Sequence, residues 1–77
     1  MRTQNALRRL VDDILIDNMP PWLRFALNQM LANGRSPESI LRHVGRLTGG
    51  PQAQPGGTMY LAVWAYLERQ TGKTIAP

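Results

Sequence analysis

The sequence predicts an all-α fold, a small four-helix bundle with short connections and one Gly/Pro-rich loop. Three observations predict it. Apolar residues recur at three- and four-residue spacing in four separate stretches, the period of a helix face. Prolines and most glycines fall between those stretches, where a helix has to start or stop. No stretch alternates apolar and polar residues over a useful length, and β-branched residues are scattered, so no strand is indicated.

The first helix spans about residues 3–18. Leu7, Leu10, Val11, Ile14 and Leu15 make its apolar stripe. Pro20-Pro21 ends it, because neither proline has an amide to donate to a continuing helix. Pro21 suits the first turn of the second helix, whose face carries Leu23, Ala26, Leu27, Met30 and Leu31. Gly34 stands where a left-handed C-cap residue is expected. Ser36-Pro37-Glu38 is the strongest local start signal: a capping hydroxyl, a proline at the first helical position and an acid at the positive dipole end. The third helix then runs from Pro37 to Thr48 on a stripe of Ile40, Leu41, Val44 and Leu47. Residues 49–57 read GGPQAQPGG, uncharged and without a large side chain, and predict a flexible loop. Thr58 is the expected cap of the fourth helix, which ends near Thr71 at Gly72, leaving a tail at about 73–77.

The 77 residues make one helical domain, 1–77. A chain this short buries only about 60% of the surface that its unfolded form exposes. Such cores are usually reinforced by disulfides, metals or partner subunits. Zero cysteines remove the disulfide, and one histidine removes a multi-histidine metal site. Good helix packing or self-association remains, and a homodimer is the commonest form of the latter. The longest apolar run, Met59 to Leu67, is far short of the ~20 residues that span a bilayer. The first residues lack the apolar core and cleavage site of a signal peptide, so the expectation is a cytoplasmic protein with no membrane partner. The net charge is +4, and eight of the nine cations are arginine.

Some large apolar residues fall off the stripes. Ile16 projects away from the Leu7/Leu10/Ile14 face at 100° per residue, and Phe25 leaves the face of the second helix in the same way. With Trp22, Arg42 and Arg46 they are the expected partner-binding residues, since hot spots favour aromatics and arginine. The charges of the first helix are also placed oddly. Arg8 and Arg9 lie toward its start, and Asp12, Asp13 and Asp17 toward its end, opposite to what the helix dipole favours. Pairs four apart, Arg8–Asp12 and Arg9–Asp13, return only about 0.3–0.5 kcal/mol each. Arg24 is the nearest internal cation that could answer the acids.

Motifs for catalysis are weak. Asp12-Asp13-Ile14-Leu15-Ile16-Asp17 resembles, over six residues, the aspartate-rich magnesium motif of prenyl-chain and terpene synthases, but the last aspartate is displaced and no enclosing barrel exists at this length. Ser39 and His43 are four apart and could touch, yet no third group orients the histidine. Thr71-Gly72-Lys73-Thr74 echoes the end of a phosphate-binding loop, but position 67, where the first glycine belongs, is Leu67. The expectation is a non-enzyme with no cofactor and no metal.

Leu31 to Ile40 resembles the turn region of helix-turn-helix DNA-binding proteins, on Gly34, Ser36 and Ile40. That resemblance implies a recognition helix from Pro37 to Thr48, with Arg35, Ser39, Arg42, His43 and Arg46 presented to DNA. The sequence departs from the pattern at Met30, where a small residue lets the helices cross closely, and at Arg35, where an apolar residue docks into the core. The leading expectation is therefore a small interaction protein (an inhibitor, adaptor or accessory subunit) that docks onto a protein or larger complex, or self-associates. The alternative is a dimeric DNA-binding regulator.

Overall fold

The computed structural model describes the backbone of residues 2–75 and the side chains of residues 6–75. Residues 76 and 77 of the expected tail lie outside the described residues. The fold is all-α, with five helices among the described residues: α1 (Arg2–Asp17), α2 (Pro21–Ala32), α3 (Pro37–Arg42), α4 (Val44–Thr48) and α5 (Thr58–Thr71). A single 3-10 turn, Pro51–Ala53, lies between α4 and α5. α5 is the central element, and α1, α3 and the 3-10 turn all pack on it. Leu23 and Leu27 of α2, Ile40 of α3, Val44 of α4, and Val63 and Leu67 of α5 form the fully buried centre.

Each connection follows from its residues. At the end of α1 the chain turns in three residues, with Met19 N–H donating to Ile16 O at 3.0 Å. Met19 is buried in this turn, and Pro21 opens α2. After α2, Gly34 takes φ +86°, a region where a Cβ is disfavoured. Its N–H donates to Leu31 O at 3.0 Å, and Arg35 N–H donates to Met30 O at 3.1 Å, closing the helix end. The start of α3 is as the sequence predicts: Ser36 Oγ accepts from Ser39 N–H at 3.2 Å, with Pro37 in the first turn and Glu38 behind it.

Two expectations need correction, at the third helix and at Thr58. The third helix is not continuous from Pro37 to Thr48; it breaks at His43, which has φ −108° and ψ 16°. There the His43 N–H donates three residues back, to Ile40 O at 3.0 Å. The imidazole Nδ1–H donates to Ser39 O at 2.8 Å, occupying the carbonyl that a continuing α-helix would give to the backbone amide. Residues 49–57, expected as a flexible loop, contain the 3-10 turn Pro51–Ala53. Ala53 is buried against the core and the 3-10 turn seats on α5. Gly57 N–H donates to Gln54 O at 2.8 Å, and a Cβ on Gly57 would meet Gln52 O at 2.3 Å, so the segment is folded tightly on itself. Thr58 is the first residue of α5, and Gly57 holds the cap position without a side-chain bond.

The tail after α5 packs back on the core. Gly72 ends α5 in the left-handed conformation, as expected, but the chain then returns to the core. Ile75 is buried, and its N–H donates to Glu68 Oε2 at 2.8 Å. The same oxygen accepts from Trp64 Nε1–H at 3.2 Å. One carboxylate thus ties the tail to α5 beside the Trp64 indole. Among the described residues, no helix is long and apolar enough to cross a membrane.

Candidate interaction surface

α1 presents two apolar faces, and the structure buries the smaller one. Leu15, Ile16 and the adjoining Met19 face the core, whereas Leu7 (57%), Leu10 (57%), Val11 (53%) and Ile14 (54%) stand exposed. The expected roles are therefore exchanged. Ile16, expected as an exposed partner-binding residue, is only 8% exposed, and of the stripe expected to be core Leu7, Leu10, Val11 and Ile14 face outward while Leu15 alone packs inward. The physical reason is the short turn at Asn18-Met19-Pro20. It ties the C-terminal end of α1 to α2, which brings Ile16 and Met19 inward and turns the stripe away. The Arg24 guanidinium secures this corner by donating to Ile16 O at 3.1 Å. Arg24 thus caps the negative end of α1 through its backbone and does not answer the aspartates directly.

The acids of α1 are distributed around the helix. Asp13 forms an ion pair with Arg69 of α5, and the Arg69 guanidinium also donates to Arg9 O at 3.4 Å. Asp12 lines a groove between α1 and α5 together with Arg8, Val11, Leu15, Leu61 and Trp64. Leu61 is itself exposed on α5, so the apolar surface of α1 continues across Val11 onto α5.

On α2, Trp22 and Phe25 are exposed at 54% and 65%, Phe25 as its departure from the helix face predicts. They are three apart and share one side of the helix, opposite the buried Leu23 and Leu27. This makes a second apolar surface that no described residue covers.

The basic residues lie elsewhere. Arg35, His43 and Arg46 come together around a cleft of about 140 Å³ whose floor is Met30, Ile40 and Leu47. The break at His43 creates this grouping, because it lets α4 turn Arg46 toward α2. Arg42 is exposed and does not line the cleft, nor does Ser39, whose backbone N–H donates to Ser36 Oγ and whose carbonyl accepts from His43 Nδ1–H. Of the five residues that a recognition helix would present, three converge and two do not.

The exposed stripe of α1 escaped the sequence reading although every residue in it was identified. Comparison with protein-family models, curated proteins and solved structures found no match.

Proposed function

We propose that this chain is a cytoplasmic, non-enzymatic interaction protein, an inhibitor, adaptor or accessory subunit that works by docking its exposed apolar side chains onto a macromolecular partner. One observation carries the reading. Leu7, Leu10, Val11 and Ile14 form a continuous apolar stripe, more than half exposed, on a helix whose other side is already packed. Single exposed hydrophobes are ordinary, but a contiguous row rimmed by charge marks an association surface. Trp22 and Phe25 add the aromatic side chains that dominate binding energetics. The test is a tagged pull-down from the native cell, with and without nuclease, using wild type, Leu10→Asp and Phe25→Asp. A partner that survives nuclease and is lost with either variant supports the reading. A wild-type chain that neither captures a partner nor self-associates overturns it.

A DNA-binding reading draws support from one specific observation, the convergence of Arg35, His43 and Arg46 on one cleft with Arg42 nearby in the chain. Phosphate contacts release counterions, so such binding falls steeply with salt. No DNA affinity by fluorescence anisotropy in about 50 mM salt removes it.

A further inference from the structure

We propose that the cleft between α2, α3 and α4 is a docking site for an acidic peptide segment of a partner protein, one that seats a single large apolar side chain between carboxylates. The site shares no residue with the exposed side of α1 or with Trp22 and Phe25, so it goes beyond the docking reading above.

The cleft joins two chemistries. Its floor is Met30, Ile40 and Leu47, and Arg35, His43 and Arg46 surround that floor. Both arginines are exposed, and no acidic side chain lines the cleft. Among the described residues the one ion pair is Asp13 with Arg69, so the Arg35 and Arg46 guanidinium groups carry no carboxylate partner.

The backbone holds these groups in place. Gly34 turns at φ +86°, and Arg35 N–H donates to Met30 O at 3.1 Å, which fixes the root of Arg35 beside Met30. His43 Nδ1–H is committed to Ser39 O at 2.8 Å, so Nε2 is the ring nitrogen left for a ligand. The helix break at the same residue carries Arg46 to this side.

Size and charge select the occupant. About 140 Å³ matches one leucyl or phenyl group, since an apolar cavity of about 150 Å³ accepts benzene. It is below the roughly 300–1,000 Å³ of a pocket that encloses a small molecule. The guanidinium forks complement carboxylates, which they can bind bidentately. A nucleic acid fits less well. Its phosphates would meet the arginines but leave the apolar floor unfilled, and that floor has no aromatic ring on which a base could stack. Met30 and Arg35 are also the two positions where the sequence departs from the helix-turn-helix pattern, and both line the cleft.

The test is an NMR titration of the full chain with three blocked pentapeptides and a short DNA duplex. The first peptide has a leucine between two pairs of aspartates. The second has glycine in place of the leucine, and the third has asparagines in place of the aspartates. The first should shift the amides of Ile40, His43, Arg46 and Leu47 and bind at least about tenfold tighter than the second or the third. Arg35→Gln and Arg46→Gln, both at exposed positions, should each weaken it at least about fivefold, with unchanged spectra away from the cleft. Equal binding of the first two peptides, shifts elsewhere, or no binding by any probe overturns the proposal. A duplex that binds tighter than the first peptide and is lost in both arginine variants assigns the cleft to nucleic acid and overturns it as well. Partner capture that depends on Leu10 is read separately, so the docking reading stands or falls without this site.

Discussion

Ile14 and Ile16, two residues apart on α1, face opposite ways: Ile16 is 8% exposed and Ile14 is 54% exposed. This opposition divides α1 into a structural side and a free side. Ile16→Val should cost about 0.5–1.5 kcal/mol in urea denaturation, as expected for a buried methyl. Ile14→Ala should leave the stability of dilute protein nearly unchanged. Its effect should grow with protein concentration, because the side chain acts in association.

Glu68 Oε2 accepts from Trp64 Nε1–H and from the Ile75 amide. Glu68→Ala should destabilise the fold by about 1–3 kcal/mol, because it leaves two donors without a partner. Hydrogen exchange should show the Ile75 amide losing protection before the amides of α5 do. Equal loss throughout the chain would mean that the tail is not held through this carboxylate.

Gly56 and Gly57 respond to alanine for different reasons. Gly56 has φ +88° and open space around it, so Gly56→Ala should cost about 1–2 kcal/mol of backbone strain. Gly57 has ordinary φ, but its new Cβ would meet the Gln52 carbonyl at 2.3 Å. Gly57→Ala should lift the 3-10 turn off α5 and cost more than Gly56→Ala. Thermal denaturation of the two variants ranks them.

Tyr66 Oη donates to Asn28 Oδ1 at 2.8 Å, joining α5 to α2. Tyr66→Phe should lose about 0.5–1.5 kcal/mol, and in Asn28→Ala the second substitution should cost less. A double-mutant cycle reads the coupling. Additive losses would show that the contact contributes nothing.

What the sequence made legible follows from how local each signal is. The helix ends at Pro20-Pro21, Gly34, Ser36-Pro37 and Gly72 were read correctly because capping and proline chemistry act within a few residues. The break at His43 was not, because it depends on where one imidazole sends its Nδ1–H, and no periodicity records that. The loop at 49–57 looked empty because its one buried side chain is an alanine, Ala53, and its compactness comes from backbone approach at Gly57. The candidate surface was half legible. Phe25 is legible as outward-facing because it leaves the only apolar face of α2. On α1 two apolar faces compete, and a helical wheel ranks faces by size. The turn at Met19 decides which one meets the core.

Sedimentation equilibrium of wild type against Leu10→Asp bears most directly on the claim that the α1 stripe is an association surface. Wild type should associate reversibly, with itself or with a captured partner, through the exposed α1 stripe. Leu10→Asp should weaken this association by at least about thirtyfold, with an unchanged circular dichroism spectrum. Wild type and variant associating equally, or both remaining monomeric across the concentration range with the same set of captured partners, would contradict the account.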